Sequence, residues 1–526
     1  MRKQNLYLSA FVLNLFFIFL YLSFKTSYHQ QLNSGPQDIF YYLIYSRELS
    51  MGNFFSWNGL FPSTGFHPLW TLLLSIIFFI SDNLVSVVIM INLLLLILTL
   101  ITVNYSYRFF NNKNLTSFFF YLFFITILLH KYYFWFMESA LLCTCLLSYF
   151  FLIFNHSSSY SVKNFILISI FASLIILSRL DNFLILAPIH FLIFAKTIHL
   201  KKYFYSIILS IIPIIFVGTY LIILKSTTGY YFPLSGIVKS SFPNFFEKTN
   251  FDVIINSKND GIIIFFAILM INILLIFEKI FHNLKIFTKN YLFLINVNLG
   301  FIIFVSYHYT FTSSPEIGSW YFSSSYLILI INVMFLFNFI EENAQTFSHR
   351  IVNFLNSIKF VNYSFVIFVI FLTIYMLTFK RLNFDYQSKQ PFHYFKFYQE
   401  NKLYFEDKKL KILDTGDGAF AFFSNMPTYH SKGLAGTPEY INFLKNLKMN
   451  GHLHDPLNIG NLNVYLTKSN IDFVIYYSSY NQQFIKNNCE NFFEINSKYQ
   501  INKNLDSIVG LIRAEKFSNF LKICVG

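Results

Sequence analysis

Long apolar runs recur through the first three quarters of the chain and are separated by short polar segments. Runs of roughly 17 to 25 residues are what membrane-spanning helices require. The pattern predicts a first span near residues 6–24 and a total of about eleven transmembrane helices. The later spans are predicted at residues 84–104, 116–130, 139–154, 164–178, 183–195, 203–224, 261–277, 291–306, 321–340 and 361–379.

One apolar run, Pro68 to Ile80, is too short for this pattern. A helix of about 13 residues is ~20 Å long, which is less than the ~30 Å hydrocarbon core of a bilayer. If this run does not span, the basic loops that hold Arg108, Lys163 and Arg350 are all cytoplasmic, as the positive-inside rule requires. We therefore predict a half-inserted or juxtamembrane helix, a cytoplasmic N-terminus, a first external loop at residues 25–67 and an external C-terminus.

The composition changes after Lys380, where polar and apolar residues become mixed. The segments KILDTGDGAFAFF and IDFVIYYSS are strand-like, PEYINFLKNLK is helix-like, and Gly, Pro and Asn mark turns between them. We predict a transmembrane module at residues 1–380 and a small extracytoplasmic α/β domain at residues 381–526, which is long enough to form its own core.

The composition agrees with a polytopic α-helical membrane protein, since 55% of the 526 residues are hydrophobic and only 12% are charged. The net charge of +14 is explained by positive-inside loops facing anionic lipid, so we predict membrane lipid and no nucleic acid as partners. Cys143 and Cys145 lie in an apolar run and are expected to be buried hydrophobes. Cys489 and Cys524 are the pair that could form a disulfide if the last domain is extracytoplasmic.

The stretch from Gln37 to Trp70 is the strongest candidate for chemistry. Pro36 and Gly52 delimit a helix, predicted over residues 37–51 and lying along the membrane surface. Asp38 near its start is either a functional acid at the membrane interface or an acid favoured by the helix dipole. The neighbouring candidates in this loop are Tyr41, Tyr42, Arg47, His67 and Trp70.

Three further acidic and basic residues interrupt apolar segments. Glu138 opens an apolar helix, where it is either a first-turn acid or a second carboxylate that faces a cavity or binds a metal. Arg179 and Asp181 lie in the turn of a short hairpin. They are either a self-neutralising structural pair, or a site at which Arg179 holds a phosphate.

The other candidates lie in or beside later external loops. Lys239 is either a snorkelling interfacial lysine or a cation for a lipid-linked phosphate. Trp320 and Tyr321 begin a span, where an aromatic belt at the interface is the alternative to a site. His67 and His308 are conceivable metal ligands, but the sequence has no HExxH, CxxC or nucleotide-binding G-x-x-x-x-G-K-[ST] motif.

Several of these motifs together resemble the glycosyltransferase-C superfamily, whose polytopic members take a sugar from a polyprenyl-phosphate carrier on the outer face of a membrane. A bacterial subgroup has a first loop reading approximately Asp-Asp-Ala-Tyr-Tyr-Tyr and then Thr-Asn-Gly-Phe-His-Pro-Leu-Trp. Here Asp38 aligns with the second acid, Gln37 replaces the first, and the loop ends in Ser-Thr-Gly-Phe-His-Pro-Leu-Trp at Trp70. The further similar segments are Met137-Glu138-Ser139, Ser178-Arg179-Leu180-Asp181, Phe232-Pro233-Leu234-Ser235-Gly236 with Lys239, and Asp414 to Ser424 with Gly433, Leu434 and Tyr440.

The resemblance implies a hexosyltransferase in the bacterial cytoplasmic membrane, acting on a polyprenyl-phosphate-linked sugar and a glycan, lipid or protein acceptor. Asp38 would be the general base, and Arg179 and Lys239 would hold the phosphate. Glu138 and His67 would orient the acceptor or hold a divalent metal, a cofactor that the residues leave open. Tyr41, Tyr42 and Trp70 would line the sugar or lipid site. The alternative is a non-catalytic protein that binds or moves a lipid-linked glycan, or scaffolds envelope assembly.

Overall fold

A computed structural model of the chain gives a mostly helical protein with a small β-sheet near its C-terminal end. The residues that the structure describes are 38–57, 59, 61–64, 66–110, 136–156, 161–239, 264–273, 288–311, 319–342, 412–414, 418–426, 428–430, 473–477, 492–496 and 508–513, with parts of 8–33, 121–129 and 394–402.

Thirteen helices with these bounds are named here in chain order. They are α1 (Tyr28–Asn33), α2 (Ile39–Ser50), α3 (Pro68–Ile80), α4 (Leu84–Phe110), α5 (Ser139–His156), α6 (Val162–Ser178), α7 (Phe183–His199), α8 (Tyr203–Thr228), α9 (Leu234–Lys239), α10 (Ile264–Ile273), α11 (Thr288–Phe311), α12 (Ser323–Glu342) and α13 (Ala419–Ser424). Two 3₁₀ turns occupy Leu180–Asn182 and Ser319–Phe322.

Within the described residues, four helical segments are long and apolar enough to cross a membrane, which supports the predicted class of membrane protein. They are Leu84–Phe109, Leu180–His199, Tyr203–Thr228 and Leu292–Phe311. The short apolar helix predicted after the first loop is confirmed, because α3 begins at Pro68 and ends at Ile80. The total of eleven spans stays a prediction, and the span at 361–379 lies outside the described residues.

The chain divides into two compact units, each made of three separate pieces. The first unit is residues 1–26, 89–220 and 240–383, and the second is residues 27–88, 221–239 and 384–526. The second unit therefore combines most of the first loop with the C-terminal part of the chain.

Within the first unit, α7 and α11 pack closely at Gly300. A Cβ atom at this position would overlap the backbone carbonyl of Ile185, so only glycine fits. A buried amide cluster joins α10, α11 and α12. Asn298 donates to Asn272 and to Asn332 at 2.8 Å, and Asn332 donates back to Asn298 at 2.7 Å. Such side-chain hydrogen bonds hold apolar helices together where lipid offers no competing partner.

The second unit contains a five-stranded mixed sheet. Its strands are β3 (Ile412–Asp414), β4 (Thr428–His430), β5 (Phe473–Tyr477), β6 (Phe492–Asn496) and β7 (Ile508–Arg513), in the order β4-β3-β5-β7-β6. Strand β3 is parallel to both β4 and β5, whereas β7 is antiparallel to β5 and β6. The strand-like segment IDFVIYYSS contains β5, and KILDTGDGAFAFF contains β3. The prediction is wrong for the second half of KILDTGDGAFAFF, where Ala419–Ser424 form helix α13 after Gly418 in a left-handed conformation. The helix-like PEYINFLKNLK and the cysteines 489 and 524 lie outside the described residues.

Candidate functional site

Asp38 lies immediately before helix α2, so the acid is at the positive end of that helix. The helix spans Ile39–Ser50, in agreement with the predicted range of 37–51. Among the described residues, the Asp38 side chain makes no capping hydrogen bond to the helix. The helix dipole still favours an acid at this position, so both readings of Asp38 stay open.

Helix α2 is buried along most of its length, including the candidates Tyr41 and Tyr42. It packs on α3, and the Ser46 hydroxyl donates to the Thr71 carbonyl at 3.1 Å. Trp70 on α3 is fully buried. Protein covers most faces of this helix, and its predicted place along a membrane surface stays a prediction.

The Thr-Gly-Phe-His-Pro-Leu-Trp signature folds back onto α2. Tyr45 donates a buried 2.8 Å hydrogen bond to Ser63, and its ring lies 4.3 Å from that of Phe66 between centroids. The His67 ring stacks against Tyr42 at 6.4 Å. A two-stranded hairpin, β1 (Ser56–Trp57) and β2 (Phe61–Pro62), lies between the helix and the signature. Four of the predicted site residues, Tyr41, Tyr42, His67 and Trp70, are thus part of one packed substructure.

The signature also contacts the Pro-Leu-Ser-Gly motif from much later in the sequence. The backbone N–H of Leu234 donates to the Thr64 carbonyl at 2.8 Å. Leu234 begins α9, which ends at Lys239. This contact ties the lysine-bearing helix to the loop that carries Asp38, although the Lys239 side chain lies outside the described residues.

Arg47 near the C-terminal end of α2 contacts the C-terminal part of the chain. Its Nη1 donates to the Phe422 carbonyl at 3.2 Å, and the guanidinium lies 5.4 Å from the Phe422 ring centroid. Burial lowers the pKa of Arg47, and the charges of Glu48 and Asp82 oppose this effect. Within the described residues, Nε and Nη2 of Arg47 are buried and donate no hydrogen bond.

A second set of predicted residues meets in the first unit, around Arg179. Its Nε donates to both carboxylate oxygens of Asp181 at 3.0 and 3.1 Å, and Nη1 donates to Oε1 of Glu138 at 3.2 Å. The side chains of Arg179 and Glu138 are 2% and 1% exposed. Charges removed from water to this degree are stable only when they are paired.

Two aromatic residues complete the Arg179 cluster. His308 on α11 lies with Nε2 3.0 Å from Oδ2 of Asp181. The Tyr321 ring centroid is 4.1 Å from Cζ of Arg179, in cation–π contact. The side chain of the neighbouring candidate Trp320 lies outside the described residues.

The charge of the Arg179 guanidinium is already paired within the cluster, because it contacts two carboxylates. This geometry favours the alternative in which Arg179 and Asp181 form a structural pair. It also gives Glu138 a fixed orientation, since one of its oxygens is held by Arg179. Glu138 and Asp38 belong to different compact units.

Metal binding finds no support in the part of the chain that the structure describes. No group of three or more His, Cys, Asp or Glu side chains there could hold a metal ion. Asp181 and His308 interact with each other, and His67 stacks on Tyr42. We therefore derive no step through a metal.

Sequence reasoning missed Trp57 and Glu48, which are both buried in the second unit. Trp57 donates to Thr428 at 2.7 Å, and Glu48 accepts a 3.0 Å hydrogen bond from Asn53. The tryptophan could have been noticed, since it is one of only four in the chain. Nothing in the sequence pattern indicates that Glu48 faces inward.

Comparison with known proteins gives similarity at the level of structure. No protein-family model and no curated protein sequence matches the chain. Among solved structures, the chain is similar to the crystal structure of ArnT from Cupriavidus metallidurans bound to undecaprenyl phosphate. The TM-score is 0.52 at 11% sequence identity, over 94% of this chain and 97% of that one. The chain therefore shares the fold of that structure.

Proposed function

We propose that the protein is a membrane glycosyltransferase that moves a sugar from a polyprenyl-phosphate donor to an envelope acceptor on the outer face of the membrane. The observation that carries this proposal is the fold similarity to ArnT over 94% of the chain, together with the first-loop acid at the start of a buried helix. The ArnT structure holds undecaprenyl phosphate, a lipid of the class that the proposed donor would use.

Asp38 is the proposed general base. An acceptor hydroxyl would lose its proton to the Asp38 carboxylate as its oxygen attacks C1 of the sugar, and the polyprenyl phosphate would leave with inversion at that carbon. The position of Asp38 supports this role, because the residue is half-buried and directly precedes the buried helix α2. Tyr41 and Tyr42 lie on the same helix, and Trp70 lies on α3, which packs against it; the three are proposed to form the sugar or lipid wall.

Lys239 is the proposed cation for the departing phosphate. A leaving phosphate needs a fixed positive charge as its own charge develops. Arg179 is a weaker candidate, since its guanidinium already pairs with Glu138 and Asp181. The contact between Thr64 and Leu234 supports Lys239, because it links the short helix that ends in this lysine to the first loop.

Sugar transfer in proteoliposomes tests the proposal. Purified protein is reconstituted with labelled polyprenyl-phosphate hexoses and supplied with envelope fractions as acceptors. We expect transfer by the wild type and a loss of about 10²–10⁴-fold in Asp38→Asn, the usual contribution of general-base assistance. Asp82→Asn is the matched control, because Asp82 is an exposed acid in the same compact unit.

Two other results of the transfer assay would contradict the proposal in different ways. Equal transfer by the wild type and Asp38→Asn would contradict Asp38 as the base, and Glu138→Gln would be tested next. No transfer by the wild type with any donor, despite measurable binding of lipid phosphate, would contradict the enzyme. That result would favour the non-catalytic alternative, in which the protein binds or moves a lipid-linked glycan.

A further inference from the structure

The helix that follows Asp38 is held at both ends by the C-terminal part of the chain. In its first turn, the Phe40 ring lies 5.6 Å from Phe422 and 5.5 Å from Phe423 between centroids. In its last turn, Arg47 donates to the Phe422 carbonyl at 3.2 Å. Helix α13, which carries both phenylalanines, therefore contacts both the first and the last turn of α2.

Trp57 makes a third connection between the same two segments. Its indole N–H donates to the Thr428 carbonyl at 2.7 Å, and the side chain is fully buried. Its ring lies 5.6 Å from Tyr41 and 5.4 Å from Tyr45 between centroids. The indole thus bridges strand β4 and the middle of α2.

Gly418, just before α13, allows this close approach. Its φ angle is +82°, a conformation that L side chains rarely adopt. A Cβ atom there would lie 3.1 Å from Cη2 of Trp57 and 3.5 Å from Cδ1 of Ile44. A Cβ atom at position 418 would therefore push the indole by a few tenths of an ångström, whereas its contact with Ile44 would be an ordinary one.

A general base works only when it is held within a fraction of an ångström of its productive position. Asp38 is joined directly to the first residue of α2, so any displacement of the first turn moves it. We propose that Trp57 and Gly418 are positioning residues, through which the C-terminal segment 418–428 sets the placement of Asp38. This inference rests on the proposed function, since it assigns the segment a role in that reaction.

A pair of glycine substitutions isolates the contact with Trp57. Gly418→Ala introduces both an unfavourable φ angle and the collision with the indole. Gly229→Ala is the matched control, because Gly229 lies in the same unit with φ +79° and has open space around its would-be Cβ. Trp57→Phe removes the hydrogen bond to Thr428 and retains an aromatic ring.

Hydrogen exchange measured by mass spectrometry on the full-length protein gives a readout that needs no sugar transfer. In Gly418→Ala we expect exchange of the amides in residues 39–50 to rise about tenfold or more, whereas Gly229→Ala leaves it as in the wild type. If Gly418→Ala and Gly229→Ala have the same exchange in this segment, the connection is overturned whether or not the protein is an enzyme.

Kinetics then separate positioning from mere structural support. We expect Gly418→Ala and Trp57→Phe to lower kcat by about 10- to 100-fold with little change in KM for the lipid donor, as small misplacements of catalytic groups do. In the double variant the shorter ring relieves the collision, so the combined loss should be smaller than the product of the two single losses. Faster exchange with unchanged kcat, or a loss confined to KM, would overturn the positioning role.

Discussion

The indole nitrogen of Trp57 donates a 2.7 Å hydrogen bond to the backbone carbonyl of Thr428, 371 residues later in the sequence. The donor is in the first loop and the acceptor begins a strand of the C-terminal sheet. Both residues are fully buried. The loop that carries the candidate base and the C-terminal part of the chain are therefore pieces of one packed structure, not two independent modules.

Removing Arg179 should destabilise the protein more than any exposed arginine does. Arg179→Met would leave the buried carboxylates of Glu138 and Asp181 without their cation, at a cost of about 3–5 kcal/mol. Thermal unfolding in detergent measures the effect, with Arg108→Met as the control because Arg108 is exposed on α4. If adding Glu138→Gln to Arg179→Met restores stability, the loss in Arg179→Met comes from unpaired carboxylate charge. Equal melting temperatures of Arg179→Met and Arg108→Met would contradict this explanation.

The amide cluster should show coupling between Asn298 and Asn332. Either residue changed to leucine leaves the other amide buried with fewer hydrogen bonds, which should cost about 1–2 kcal/mol in a membrane helix. The double variant should lose less than the sum of the two, because the partners are removed together. Asn296→Leu is the control on the same helix, since the Asn296 amide donates to the Leu292 carbonyl of its own helix in an exposed position. Strict additivity in unfolding measurements would argue against a shared interaction.

Gly300→Ala should separate α7 from α11. The new Cβ would overlap the Ile185 carbonyl, which is backbone and cannot swing away, so we expect a loss of about 1–3 kcal/mol. Gly218→Ala in α8 has open space and should leave stability unchanged or raise it slightly, because alanine is the better helix former. A comparison of the melting temperatures checks both expectations. Similar effects of the two variants would show that the helices are not in close contact at Gly300.

Tyr45→Phe should weaken the folding of the signature onto α2. The substitution removes one hydroxyl and leaves Ser63 buried without its 2.8 Å partner, at a cost of about 0.5–1.5 kcal/mol. Limited proteolysis within residues 51–66 should accelerate in this variant. Tyr203→Phe changes an exposed tyrosine and is the control. Unaltered cleavage in Tyr45→Phe would contradict the proposed support of the loop.

Much of the helical architecture follows from the sequence, because the length of an apolar run and the residues that begin or end a helix are local features of the sequence. Pro68 and Gly52 mark helix ends that the structure has at or next to the same residues. The membrane-protein class follows from the hydrophobic fraction in the same way. The ion pair between Arg179 and Asp181 was also predictable, since only one residue separates them in the sequence.

Contacts between distant segments could not be predicted from these patterns. Glu138 joins Arg179 across 41 residues, and His308 reaches Asp181 across 127. The aromatic residues of α2 suggested a helix at the membrane interface, yet they are covered by Phe422 and Trp57, which no local pattern connects with them. Such partners are selected by the three-dimensional packing and leave no signal in residue spacing.

The composition of the second unit from three separate pieces has a consequence for synthesis in the cell. At about 5–20 residues per second, the ribosome needs roughly 20 to 75 s to proceed from Trp57 to Thr428, a distance of 371 residues. During this interval the apolar faces of α2 and the first loop have been made but their final partner has not. A nascent chain stopped before residue 418 would already contain Asp38, yet it would lack both helix α13 and Thr428, which pack against the helix next to it.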